Sequence, residues 1–295
     1  MKITTMTNNI INEIRKATMD MMSKISIDEK HNYTNKDGKK LAGVTEVSSY
    51  GGYKEAKGWM PAWGAKEAVS YLGYEDIFIG EETARENLKA KLEEIKGMDE
   101  KQYLDLLITA KNSYMRKSDK AKDIGTQAHE YLEKYIKAVM RNEKIPSIPK
   151  MGEFIEKGIR EFIDMTKDWE FVLSEARIGR PQMPYEYAGT LDCLAIIKGI
   201  PHIIDFKFAD NVSETWKLQT SAYAKPFEDY GINIQERIVF RFPKSEWIKK
   251  WDTKKRAYKK IQNKLEIIKY NSGDLDFDFE TFCHFRQTAK WINSN

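Results

Sequence analysis

The stretch Tyr187–Lys207, YAGTLDCLAIIKGIPHIIDFK, constrains the fold more than any other, because it sets acids inside two apolar runs. Leu194, Ile196 and Ile197, then Ile203, Ile204, Phe206 and Phe208, read as two short strands. Lys198-Gly199-Ile200-Pro201 supplies the turn between them. Residues i and i+2 of a strand share a face, so Asp205 and Lys207 emerge side by side. A hairpin folded at Gly199 returns Asp192 towards Asp205. Two carboxylates with a lysine beside them suit a hard divalent cation and an anionic substrate. The same Asp-x-Lys spacing recurs at Asp28, Asp37, Asp99 and Asp252, in polar or turn-like surroundings where solvated pairs account for it. Only Asp205 lies in an apolar strand, where an unpaired carboxylate is costly to bury. A structural ion pair and a functional site both fit that observation alone.

The rest of the composition sets limits. At 295 residues, with 41% hydrophobic and 12% aromatic side chains, the chain suits one large domain, or a core with an appended module. Its formal charge of +4 permits a nucleic-acid partner without requiring one. Two cysteines, Cys193 and Cys283, exclude a four-cysteine iron–sulfur cluster within the chain and offer no zinc spacing. The first residues lack the apolar segment of a signal peptide, and no run approaches 18 apolar residues. The expectation is a cytoplasmic protein with reduced thiols and no membrane partner. No GxxxxGK[ST] loop or GxGxxG turn points to a nucleotide-driven motor.

Along the chain, residues 1–28 have helical spacing at Ile10, Ile11, Ile14, Met22 and Ile25. Residues 31–52 show the alternation and the Asp37-Gly38 turn of a hairpin. Pro61, between Trp59 and Trp63, suits the first turn of a helix through Ala65–Tyr71. The two tryptophans fit packing in a helical subdomain, or stacking on bases. Helices are expected over 80–97 and 99–115, then a basic segment, Met115–Asp123, that leads into the helix of GTQAHEYLEKYIKAVM. His129 and Glu133 are four apart and share one face of it. After a further helix at 151–167, a strand in WEFVLSEARIGRP carries Glu175, and an amphipathic helix after the hairpin carries Gln219 and Tyr223. A strand at INIQERIVFRF follows, and the stripe Trp247, Trp251, Tyr258, Ile261 and Leu265 predicts a long, basic-faced helix over 245–270. Alternating acidic and apolar residues, GDLDFDFE, come last.

Five short motifs in this order resemble the PD-(D/E)xK nuclease superfamily, specifically its RecB-like and phage-exonuclease branch. GTQAHEYLE resembles that branch's histidine helix, YAGTLD its G-x-x-D strand, IIDFK its D-x-K strand and LQTSAY its Q-x-x-x-Y helix. EAR, at Glu175, resembles an acidic strand position seen in some members. The resemblance covers about residues 121–245. It implies an α/β fold with a restriction-endonuclease-like core, a central mixed β-sheet flanked by helices, over 121–245. A mainly helical region, 1–120, would precede it and cover the site, and a C-terminal basic helix and tail, 246–295, would follow. It implies Mg²⁺ or Mn²⁺ held by His129, Asp192, Asp205 and the Phe206 backbone carbonyl, with Glu175 and Glu133 as auxiliary acids. Lys207 would orient and help deprotonate the attacking water, while Gln219 and Tyr223 position the substrate or the lysine. The implied activity is a sequence-independent DNA exonuclease of recombination, repair or phage genome processing, with a restriction-type endonuclease as the rival. A nuclease-like fold that only binds nucleic acid is a second rival, against which the intact Asp192, Asp205 and Lys207 argue. The implied partners are DNA, single-stranded or with free ends, and a recombination or single-strand annealing protein. The absent iron–sulfur cysteines argue against the CRISPR-adaptation and helicase-fused relatives.

Overall fold

The computed structural model describes residues 2–52, 64–72, 81–182, 184–252 and 257–292. The chain divides into two compact units, Met1–Gly52 with Gln127–Asn295, and Tyr53–Thr126. This differs from the expected division at residue 120. Residues 1–52 belong with the larger unit because α1 (Lys2–Lys24) buries Ile11, Ile14, Ala17 and Met21 in its core. After it, β1 (Ile25–Ile27), β2 (Tyr33–Asn35) and β3 (Lys40–Gly43) join the main sheet, and α2 (Val44–Ser49) follows. The smaller unit is helical where described: α3 (64–71), α4 (Glu81–Lys96), α5 (Glu100–Lys111) and the first part of α6 (Ser113–Arg141). A capping box at Asp99 and Gln102 starts α5. The expected basic segment is simply the first turns of α6. Trp59 and Trp63 lie outside the described residues.

The larger unit continues with α7 (Glu153–Met165), β4 (Glu170–Arg180), β5 (Tyr187–Ile197), β6 (Ile200–Phe208), α8 (Thr215–Glu228) and β7 (Glu236–Phe242). Then come β8 (Trp247–Asp252), β9 (Ala257–Gln262), β10 (Glu266–Asn271) and α9 (Leu275–Ile292). The architecture is α/β. A mixed eight-stranded sheet runs β1-β2-β3-β5-β6-β7-β10, with β4 on the other edge of β5, and helices flank it. The turn between β5 and β6 is two residues long, Lys198 and Gly199, with φ of 52° and 82°, the conformation that matches strand twist in tight hairpins. α8 is buried nearly all round, and Phe162 of α7 packs on Phe206, Phe240 and Phe242.

The expected long helix at 245–270, and with it the C-terminal basic helix, is not formed by the described residues of that range. The segment forms β8 and β9, paired Trp247↔Gln262 through Asp252↔Ala257, and then β10 on the edge of the main sheet. Residues 247, 251 and 258 satisfy a helical stripe, yet they equally fall on alternate positions of two short strands. Trp, Tyr and Ile at these places favour the extended form. The acidic alternation that follows is the start of α9, where buried Asp278 accepts from Arg237 of β7 at 2.7 Å.

Candidate active site

The site is a gap in the sheet. Along one edge, β5 pairs with β4 over nearly its whole length. On the other edge, its first residues pair in parallel with β3 (Ala42↔Tyr187, Gly43↔Ala188), and its last pair antiparallel with β6 (Cys193↔Ile204 to Ile197↔Ile200). Residues 189–192 lie between these two neighbours. A cleft of about 410 Å³ opens there, lined by Thr190, Asp192, His129, Lys207, Gln219 and Tyr223. The N-terminal hairpin and α2 supply the opposite wall, including Tyr33, Lys40, Thr45 and Glu46. Tyr33 is tied across the gap by a 2.9 Å hydrogen bond between its hydroxyl and that of Thr190. Nothing local in the sequence marks these wall residues, since the parallel β3–β5 pairing joins segments some 145 positions apart.

Gly189 explains the first position of the G-x-x-D motif. A Cβ here would stand 2.8 Å from the Tyr223 ring and 2.9 Å from Val44, so α2 and α8 reach β5 only because it has none.

Three acids occupy neighbouring strands at one level. Ser174↔Cys193 and Ala176↔Leu191 bracket Glu175 opposite Asp192, and Asp192 and Asp205 are the next residues beyond the last rung, Cys193↔Ile204. There the ladder gives way: the Phe206 N–H donates to Asp192 Oδ2 at 2.7 Å instead of to a backbone carbonyl. Glu175 has a φ of +50° in mid-strand, a conformation costing a residue with a side chain about 1–3 kcal/mol and typical of functional sites.

His129 of α6 brings Nδ1 to 3.8 Å from Asp192 Oδ2 and sets its ring edge-on to Phe208, with centroids 5.0 Å apart. His129, Glu175 and Asp192 each offer a ligand atom within 4.8 Å of the others, close enough together that one metal ion could bridge them. Glu175, the weakest sequence match, thus joins this cluster. Asp205 lies outside it. Its carboxylate is fully buried and meets Lys207 Nζ at 2.7 Å from Oδ2, while Oδ1 has no partner. Glu133 turns to Lys137 in an ion pair one turn along α6. Gln219 Nε2 reaches the Tyr223 hydroxyl at 3.4 Å and Thr45 Oγ1 at 3.5 Å, both long contacts.

Burial and crowding of like charge set the protonation states. Burial, reinforced by Asp192 and Glu133, raises the Glu175 carboxyl to about 8. Burial raises Asp205 to about 6 against the pull of Lys207, and raises Asp192 against Lys207 and the Phe206 N–H. Burial and the Lys207 charge lower His129 to about 4, so its imidazole is neutral at pH 7. Three carboxyls that resist ionising beside a neutral imidazole form a donor set short of positive charge. Hard oxygens with one imidazole suit Mg²⁺ or Mn²⁺.

No family model matches the chain, and no curated protein matches it. Among solved structures it is similar to one described as "Crystal structure of SSO0001", at 13% identity and a TM-score of 0.26, over 48% of this chain and 59% of that one. The match spans less than two thirds of that protein, and nothing about activity follows from it. No described helix is long and apolar enough to cross a membrane.

Proposed function

We propose that this chain is a divalent-cation-dependent nuclease that hydrolyses DNA phosphodiester bonds on a restriction-endonuclease-like core. The row Glu175, Asp192 and Asp205, with His129 against Asp192 and Lys207 against Asp205, is the observation that carries this reading. The Asp205 Oδ1, buried without a hydrogen-bond partner, and the raised carboxyls are what a site evolved for a cation leaves when its own side chains alone are counted.

His129, Glu175 and Asp192 would hold Mg²⁺ or Mn²⁺, with Asp205 and the Phe206 carbonyl on the adjoining strand. Such an ion supplies positive charge to a nonbridging phosphate oxygen and lowers the pKa of an attacking water. The chain's own groups do the rest. Asp205 holds the Lys207 ammonium on the cleft, where it orients the water and meets negative charge developing on phosphorus. Gln219 and Tyr223, fixed on buried α8, line the floor and position the substrate. Phe206 N–H keeps Asp192 directed at the gap.

Fluorescently end-labelled DNA of one sequence, linear and covalently closed, single- and double-stranded, tests this reading with Mg²⁺ or Mn²⁺. Degradation of the linear forms from their ends, at rates independent of sequence, is the expected result. Cutting of the closed circles at discrete sites supports an endonuclease instead. No cleavage of any form, with either ion, overturns the proposal.

A further inference from the structure

The ribbon β8–β9 is a two-stranded sheet of its own, apart from the main sheet. Over residues 247–262, WIKKWDTKKRAYKKIQ, it carries six lysines and one arginine against one aspartate, a net +6. The whole chain is +4, so everything outside the ribbon sums to −2. The net positive charge of this protein is therefore that of this one segment.

Fold stability does not account for the pattern. A lone two-stranded ribbon is marginal in water. This one sets Lys249 opposite Lys260 and Lys250 opposite Lys259, and like charges directly opposite destabilise a pair. Lys259 and Lys260 are exposed, and Lys260 Nζ stands 4.6 Å over the ring of Trp247, itself 41% exposed. An anionic ligand relieves the repulsion, and an exposed indole beside lysines is a surface on which bases stack.

The root of the ribbon is fastened beside the site. Asp210, three residues beyond Lys207, accepts from the backbone N–H groups of Lys244 and Ser245 and from the Asn263 side chain, at 2.8–3.1 Å. Arg241, the register partner of Lys207, clamps Asn263 and the Ala209 carbonyl from the other side. Trp247 is six positions beyond Arg241, so the ribbon starts within about 25 Å of the Lys207 rung. At about 3.4 Å per nucleotide step, that is up to about seven nucleotides along a strand.

We infer that β8–β9 is a DNA-binding arm that grips the phosphate backbone of the substrate strand within about seven nucleotides of the candidate active site. This rests on the nuclease reading for its substrate, though not for its charge. The test is fluorescence anisotropy of a labelled single-stranded 20-mer in EDTA, across a salt series. It compares wild type, a variant with Lys249→Gln, Lys250→Gln, Lys259→Gln and Lys260→Gln together, and its counterpart with all four as Arg. The Gln variant should bind more than tenfold more weakly at about 0.1 M salt, and its log–log salt slope should fall by about 2–3, at ~0.7 per lost phosphate contact. The Arg variant should bind as wild type does. Wild-type slope and affinity in the Gln variant overturn the arm, as does equal loss in the Arg variant, which would mark a folding defect. Hydrolysis of bis(p-nitrophenyl) phosphate by wild type with Mn²⁺ reports the catalytic reading separately. If wild type leaves both that ester and DNA intact while the ribbon-dependent binding persists, the nuclease reading falls and the arm stands.

Discussion

Replacing Asp205 by Asn should make the metal-free protein more stable and weaken its stabilisation by metal. The Asp205 carboxyl moves from 3.8 to about 6 on folding, chiefly through burial. A carboxyl whose folded pKa is raised binds more protons folded than unfolded, so its contribution to stability falls as pH rises from about 4 to about 6 and stays lost above. At 1.36 kcal/mol per unit, the ionised group costs about 3 kcal/mol at pH 8. Asparagine removes that charge but leaves a buried amide without a partner, which returns about 1–2 kcal/mol. The lysine remains partly solvated, its side chain 21% exposed. The net gain at pH 8 is about 1–2 kcal/mol, or roughly 2–6 °C in Tm for a protein of this size. Thermal unfolding in EDTA from pH 4 to pH 8 measures it: the advantage of Asp205→Asn should grow between pH 4 and 6 and then level off. Saturating Mn²⁺ should reverse the order, since a ligand at 100 times its Kd adds about 2.7 kcal/mol to the protein that binds it. An Asp205→Asn protein less stable than wild type in EDTA at pH 8, by the same margin at every pH, would refute the reasoning.

Two further outcomes follow from the same geometry. Lys207→Ala should lower DNA hydrolysis by roughly two to four orders of magnitude in kcat while Mn²⁺ affinity changes little, since the ammonium lines the cleft beside Asp205 and is not one of the trio; single-turnover kinetics with a metal titration would separate the two, and wild-type turnover would rule out its assigned role. Gly189→Ala drives a methyl against the buried Tyr223 ring and Val44, and should cost about 1–3 kcal/mol in urea unfolding; a change below about 0.5 kcal/mol would contradict the close packing of α2 and α8 on β5.

The hairpin from Tyr187 to Lys207 was legible because everything that shapes it is local: alternation, a Gly turn, and a fixed two-residue period. His129, Gln219 and Tyr223 were legible as motif positions, and all three line the cleft. Glu175 was visible only as an acid in a strand. Its place in the trio depends on the antiparallel register with β5 and on a backbone twist at φ +50°, neither of which periodicity encodes. The expected hairpin over 31–52 forms only as β2 and β3, the rest being helical from Val44, and its membership of the sheet rests on two parallel rungs to β5. Residues 245–270 misled because lysine-rich spacing with aromatic residues at 247, 251 and 258 satisfies both periods, and strand pairing decided between them.

The most direct measurement is a titration of Mn²⁺ into the protein, followed by electron paramagnetic resonance, for wild type, Asp192→Asn and Glu175→Gln. One tight site is expected in wild type, its affinity rising from pH 6 to pH 8 as carboxyls with raised pKa values lose their protons to solvent and become free to bind the ion. Each variant should lose at least tenfold in affinity. Mn²⁺ bound equally by all three proteins, or by none of them below millimolar concentrations, would contradict a cation centre at His129, Glu175 and Asp192.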